Sequence, residues 1–438
     1  MLPGLMQEGS GVRAAARNFG WLAAERGVRL TCSVAGGLVV ARYLGPAQFG
    51  VFNYALAMVT FLLAIAQMGL DALVQREVLA TPERAAATLG AAGRLRLAAG
   101  AACYGAVLGW VWWGEADGEA RRLLVIAGAM VFLPGLTVAD LWLQANLQAR
   151  RSALAQAMAL VLGLAGRLWL VAARAPLWTF GAVVTAEALL AAGFLNVMAW
   201  RAGVRIARDR AAGLARRLAG EAWPLMLASI AVMIYLRIDV VMLQQLAGPA
   251  PAGIYAAAVR ISEIGYFVPA AIASSVLPAL LRSRAAGEAA YRERLQRYYD
   301  GSAALAYGLT VPVALAAPWV VRLLYGAAFA DAGPVLALHV WASVFVFLGV
   351  ARSQFLVNEK LTRFALLATS LGAAVNVGLN GLWIPRWGAM GAAWATLVSY
   401  ALSAWASSFL HPAVRATGRM QTRALLLPLT GWRYLRRR

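Results

Sequence analysis

Arg201 to Arg217 reads RAGVRIARDRAAGLARR, in which Arg201, Arg205, Arg208, Arg210, Arg216 and Arg217 face one acid, Asp209. A long apolar half of the chain lies on each side of it. The two halves share a repeat. Leu44-Gly45-Pro46-Ala47-Gln48-Phe49-Gly50-Val51-Phe52 aligns with Ala247-Gly248-Pro249-Ala250-Pro251-Ala252-Gly253-Ile254-Tyr255. Gly45 and Gly248, Pro46 and Pro249, Gly50 and Gly253, and the aromatics Phe52 and Tyr255 are all 203 apart. One constant offset is the mark of a duplicated unit. The basic stretch is then the hinge between two copies of one bundle.

The composition says what kind of bundle. Of 438 residues, 62% are hydrophobic and 13% charged, against about 45–50% and about 25% in soluble domains. The mean hydropathy is +0.67. A chain this apolar crosses a membrane many times, as helices or as a closed barrel. The apolar runs are about 20 residues long and do not alternate, which selects helices. The net charge of +21 comes almost entirely from arginine, Lys360 being the one lysine. A soluble protein with this charge would suggest nucleic acid. Here the arginines gather between apolar runs, so topology accounts for them and no nucleic-acid partner is expected. Cys32 and Cys103 sit in apolar runs, and His339 and His411 stand far apart. They offer no metal spacing, disulfide framework or catalytic triad. The first apolar run is interrupted by Glu25, Arg26 and Arg29 and continues past signal-peptide length, so it is expected to stay as the first helix.

Twelve spans are predicted, near 20–43, 48–71, 95–113, 122–147, 152–173, 177–199, 221–245, 252–281, 299–324, 333–357, 363–384 and 388–410. The fold class is all-α: twelve transmembrane helices in two pseudo-symmetric six-helix lobes around a central cavity. The expected domains are an N-lobe over 1–200, a basic cytoplasmic link over 201–218, a C-lobe over 219–410, and a basic cytoplasmic tail over 411–438. The N-terminus, alternate loops and the tail hold 28 Arg and Lys, whereas the opposite side holds five: Arg42, Arg121, Arg122, Arg174 and Arg386. That bias puts both termini in the cytoplasm. Six spans per half is an even number, so both copies share one orientation, as in parallel transporter repeats. The tail, ending Arg436-Arg437-Arg438, reads as a contact for anionic membrane lipids.

Charges within the spans need a reason, since each costs at least about 2.5–3.5 kcal/mol at mid-bilayer. The bases are Arg26, Arg29, Arg167, Arg237, Arg260, Arg322 and Arg352; the acids are Glu25, Asp140, Glu187, Asp239 and Glu263, with Asp71 at a span end. Arg26 and Arg29 share a helix face, where they either snorkel or line a cavity. Arg237 and Asp239 point to different sides of one span, so at least one faces protein or water. Asp239, in Tyr235-Leu236-Arg237-Ile238-Asp239, is the leading acidic candidate. Arg260 and Glu263 lie three apart and suit either the cavity or ion pairs between spans. Arg167 has no acid in its own span, so it is a phosphate ligand or is partnered across the bundle. Arg322 and Arg352 lie near span ends, where snorkelling is open to both. Glu187 is the acid nearest a span centre. It is either protonated or paired, and the first is what proton coupling needs. The surplus of arginine suits an anionic cargo, because guanidinium forms bidentate contacts with phosphate oxygens.

Several stretches resemble one family, the Wzx-like polysaccharide-biosynthesis flippases of the multidrug/oligosaccharidyl-lipid/polysaccharide exporter superfamily. They are Ala41-Arg42-Tyr43-Leu44-Gly45-Pro46 through Gly50, then Gly69-Leu70-Asp71; Trp223-Pro224-Leu225, then Tyr235 to Asp239 and Gly253-Ile254-Tyr255-Ala256; and Asn376-Val377-Gly378-Leu379-Asn380, then Ile384-Pro385-Arg386-Trp387-Gly388 through Ala393. Asn376 and Asn380, four apart, can bond between helices, and the small residues after Gly388 allow close packing.

The resemblance implies a flippase in the bacterial inner membrane that moves an undecaprenyl-diphosphate-linked oligosaccharide to the periplasmic leaflet by alternating access. It implies Arg26, Arg29, Arg237 and Arg260 as cavity residues and Asp239 as the acidic one. Arg167 and Arg352 join the cationic candidates, and Glu187, Glu263 and Asp71 the acidic ones. No cofactor is expected beyond a coupling proton or sodium ion. The partners would be the lipid-linked glycan, membrane lipids and the polysaccharide polymerase machinery, and a monomer suffices because both lobes are in one chain. A cation-coupled multidrug antiporter would carry acid-rich spans, a lipid II flippase two further C-terminal spans, and a polymerase or ligase a large periplasmic loop. No such loop is present, so an enzyme is not expected.

Overall fold

In a bilayer each backbone amide must find its partner inside its own segment, so long apolar stretches close as helices. The computed structural model describes the backbone of residues 4–114, 118–207 and 212–430, and side chains from Trp21 onward except 22–26, 30, 212, 274, 278, 429 and 430. Among the described residues, nine helices are long and apolar enough to cross a membrane, and the pair Gly118–Leu136 and Val138–Ala145, bent by 44°, is a tenth when counted as one broken span. Two of the nine are double. Gly27–Ala80 and Thr362–Phe409 run 54 and 48 residues, where about 20 suffice, and they break at Gly45 and Gly388. The twelve spans are thereby accounted for. Large apolar side chains lie outside, with Trp113 86%, Leu315 80% and Trp200 76% exposed. Such a surface is suited to lipid. Trp112 and Trp113 end their helix at Gly114, where indole rings suit the membrane–water interface.

The chain forms two compact units. One holds Met1–Leu44 and Val51–Met233; the other holds Gly45–Gly50 and Ile234–Arg438. The division at Met233 falls inside the helix Ala212–Leu246, whose first turns belong to the first unit. There Leu218 and Ala222 enter a core with Leu70, Leu73, Val74, Leu89, Val138 and Leu141. The described part of the basic link is held to the same unit. The Ala207 amide donates to Ala86 O at 2.9 Å. Arg217 pairs with Glu77, and Arg76 with Glu221 at 3.2 Å. Arg208, Asp209, Arg210, the acidic loop at 115–117 and the final arginines lie outside the described residues.

The second unit shows the duplication in its backbone. Gly45 adopts φ 70, ψ 174 and Gly248 adopts φ 90, ψ 179, a region essentially reserved for glycine. Each is followed by a proline that starts a helix, as proline's fixed φ favours. Five residues further on, Gly50 and Gly253 meet. A Cβ at Gly50 would lie 1.9 Å from Pro249 O, and one at Gly253 would lie 1.9 Å from Pro46 O. The contact is reciprocal, as expected for two copies of one element packed through a local two-fold. The main core of the unit gathers Tyr299, Leu295, Phe347 and Leu348, with Val414 and Ala424 of the C-terminal segment. Gln421, in the helix Arg415–Leu425, locks that segment down by donating to Ala404 O at 2.9 Å.

Candidate functional site

Asp239 is the best-supplied acid in the second unit. It is 3% exposed. The Tyr255 hydroxyl and the Thr396 hydroxyl both donate to Oδ2, at 2.5 and 2.7 Å, and Asn380 Nδ2 donates to Oδ1 at 2.8 Å. Asn380 Nδ2 also reaches Asn376 Oδ1 at 3.0 Å. Four different stretches of sequence converge here. Asp239 comes from the helix Ala212–Leu246, Tyr255 from Pro249–Ser262, and Asn376, Asn380 and Thr396 from both sides of the Gly388 break in Thr362–Ala404. An ionised carboxylate only accepts hydrogen bonds, so three neutral donors suit it. Tyr255 and Thr396, 3.0 Å apart, share no proton while both donate to Oδ2. Among the described residues no cationic side chain pairs with Asp239.

Arg237, two residues away, turns elsewhere and meets Glu263 at 3.2 Å. Glu263 heads the 3-10 turn Glu263–Tyr266, and its ion pair crosses from one helix to another. Arg260 lies with its guanidinium carbon 5.8 Å from the centre of the Phe49 ring, within cation–π range. Arg352 is 5% exposed. It donates to Ser407 Oγ, Ser408 Oγ and Ser403 O at 2.8, 2.9 and 2.6 Å. Three neutral acceptors at a helix end thus hold this cation.

The first unit treats charge differently. Arg167 and Glu187 form an ion pair at 2.6 Å, 13% and 16% exposed, between the antiparallel helices Ala149–Ala172 and Leu177–Arg201. Two glycines make its room. A Cβ on Gly163 would lie 1.8 Å from Glu187 Oε2, and one on Gly36 3.2 Å from Arg167 Nη1. Arg29 donates to Gln156 Oε1. The Arg26 side chain lies outside the described residues. Asp71 begins the helix Asp71–Ala80 and pairs with Arg96 at 2.6 Å.

Arg96 stands at the edge of the predicted span 95–113, where it reads as one more loop charge. In the structure it is 2% exposed and donates to Gln67 O and Pro134 O as well as to Asp71. Tyr255 and Thr396 were also unread as polar ligands. Tyr255 was visible as the aromatic of the repeat, and Thr396 had no signal. Asn376 and Asn380, read as packing, touch the carboxylate network.

Among the described residues no group of three His, Cys, Asp or Glu side chains could hold a metal ion. The oxygens of Asp239, Thr396, Asn376 and Asn380 are hard donors suited to an alkali cation. Asn380 Oδ1, buried without a hydrogen-bond partner, fits that chemistry.

Residues 16–284 match the family described as polysaccharide biosynthesis protein. No curated protein matches the chain. Three solved structures share its fold. The lipid II flippase MurJ in an inward closed conformation has a TM-score of 0.70 at 14% identity, over 94% of this chain and 91% of its own. A multidrug resistance MATE family transporter of the MOP superfamily, in an inward-facing conformation, has 0.69 at 17%, over 90% and 94%. A MOP superfamily transporter from Pyrococcus furiosus, described as having a binding pocket of reverse polarity, has 0.59 at 17%, over 94% and 96%. The shared fold is the twelve-helix, two-lobe fold.

Proposed function

We propose that this chain, which belongs to the polysaccharide biosynthesis protein family, flips an undecaprenyl-diphosphate-linked oligosaccharide from the cytoplasmic to the periplasmic leaflet of a bacterial inner membrane. The family match over 16–284 carries the reading. Two observations support it: a lipid II flippase has the same fold, and the predicted spans hold more arginines than acids. The protein is a multi-pass membrane transporter with both termini in the cytoplasm. It works as a monomer by alternating access and delivers its cargo to the polymerase machinery.

Each unit contributes contacts of its own. In the second, Arg237 and Arg260 meet the diphosphate, and Asp239 takes the coupling cation, sodium or a proton. In the first, Arg26 and Arg29 are the cationic candidates. Arg167 serves by holding Glu187, and Arg352 by holding the 403–408 turn. Glu263 and Asp71 orient Arg237 and Arg96. Sodium at Asp239 would draw on the oxygens of Thr396, Asn376 and Asn380, while a proton would need the carboxylate alone.

The fold shared with a multidrug transporter sustains a second reading, a cation-coupled drug antiporter; a lipid II flippase is a third. The test is transport of a labelled undecaprenyl-diphosphate oligosaccharide across proteoliposome leaflets, wild type beside Asp239→Ala and Arg260→Ala. Flipping by wild type that fails in both variants is the expected result. Expulsion of ethidium without flipping of any glycan would transfer the reading to the antiporter. Flipping of lipid II alone would transfer it to the third. Flipping that survives both substitutions would leave the function and remove the site.

A further inference from the structure

The second unit carries a cavity away from Asp239. It has a volume of about 750 Å³ and lies between the end of the helix Phe267–Ala285 and the start of the helix Glu288–Tyr325. Drug-sized ligands occupy cavities of about 300–1,000 Å³. Small residues make the space: Ala279, Ala286 and Ala290 line it, with Val276. Its charged wall is Arg282, Arg294 and Arg297 against one acid, Glu293, which pairs with Arg297. Arg282 and Arg294 make no ion pair with a described residue. The wall therefore holds two positive charges beyond what it neutralises. Ser283 and Tyr298 complete the polar lining, with the Ser283 hydroxyl already donating to Leu280 O at 2.7 Å.

We propose that this groove between the two helices binds the phosphate of a lipid. Guanidinium groups in pairs match phosphate oxygens, and a mono- or diphosphate has the opposite charge in the amount left over. The lipid origin follows from the surroundings. Leu281, beside Arg282, is 49% exposed, and further along the second helix Leu305 and Leu309 are each 39% exposed. The cationic groove thus adjoins surface suited to acyl or prenyl chains. Such a phosphate belongs either to a polyprenyl diphosphate or to a bulk anionic phospholipid. The proposal stands on the groove itself and needs no particular cargo, so its failure would leave the transport reading untouched.

Glu293 supplies the decisive variant, because it lies in the groove with the wrong sign for an anion. Full-length protein in phosphatidylcholine nanodiscs is titrated with farnesyl diphosphate, as wild type, Arg294→Gln, Glu293→Gln and Arg292→Gln. We expect Arg294→Gln to weaken binding about tenfold, the scale of one charge-assisted contact. Glu293→Gln should tighten it several-fold, and Arg292→Gln, outside the groove, should leave it unchanged. A misfolded variant does not gain affinity, so tightening separates a site from a structural role. Repeating the titration with phosphatidylglycerol in the disc identifies the lipid. Loss of farnesyl diphosphate binding assigns the groove to bulk phospholipid, and retention assigns it to the polyprenyl diphosphate. Absence of binding in wild type, or binding that none of the variants moves, would overturn the proposal.

Discussion

The Arg167–Glu187 pair and the Asp239 cluster solve one problem in opposite ways. Each places a carboxylate inside a helix bundle. In the first unit a cation neutralises it at 2.6 Å, in room left by Gly163 and Gly36. In the second unit three neutral donors reach it and no described cation pairs with it. A neutralised pair is complete and resists change, because removing one partner strands the other in low dielectric. A charge held by neutral dipoles can instead exchange a proton or take a cation without losing an ionic partner. This contrast is why the proposed function gives the coupling cation to Asp239 and a holding role to the Arg167–Glu187 pair.

Glu187→Ala tests the comparison with the largest expected effect. It should cost about 3–5 kcal/mol by stranding Arg167, read as a fall in thermal unfolding temperature in detergent. Adding Arg167→Leu should recover most of the loss; if it does not, the pair is no closed unit. Gly253→Ala comes next, at about 1–3 kcal/mol, because the added methyl meets Pro46 O, a backbone atom that cannot turn aside. An unchanged unfolding temperature would remove the reciprocal crossing. Asp239→Asn should cost only about 1 kcal/mol, since the hydroxyls of Tyr255 and Thr396 can rotate to accept from the new amide. The same variant should abolish stimulation of transport by a cation gradient, and a stability loss as large as that of Glu187→Ala would erase the contrast. The smallest effect is expected for Arg260→Gln, about 1 kcal/mol of stability, the scale of a cation–π contact such as that with Phe49. Its transport defect should exceed what that loss explains, and equal flipping rates would take Arg260 out of the site.

Much of the fold was legible in the residues. The twelve spans could be read because lipid leaves the backbone few choices, and the repeat could be read because Gly45 and Gly248 hold the same glycine-only conformation. The site was legible in part. Asp239 stood out as an acid in an apolar run, and Asn376 and Asn380 were visible as a helix face. Arg96 was not, because an arginine near a span end looks the same whether it snorkels or turns inward to cap Gln67 O and Pro134 O.

The sequence by itself determined that the chain is helical, crosses a membrane repeatedly, is duplicated and has an excess of arginine within its spans. Those properties depend on hydropathy, period and count, which are local and additive. Tertiary structure decided which charges meet: Arg167 with Glu187, Glu263 with Arg237, and Arg352 with serines in place of an acid. Such choices depend on which helix faces which, a relation between residues 20 to 157 positions apart. Hydropathy is blind to it because every lipid-compatible helix presents the same apolar signal.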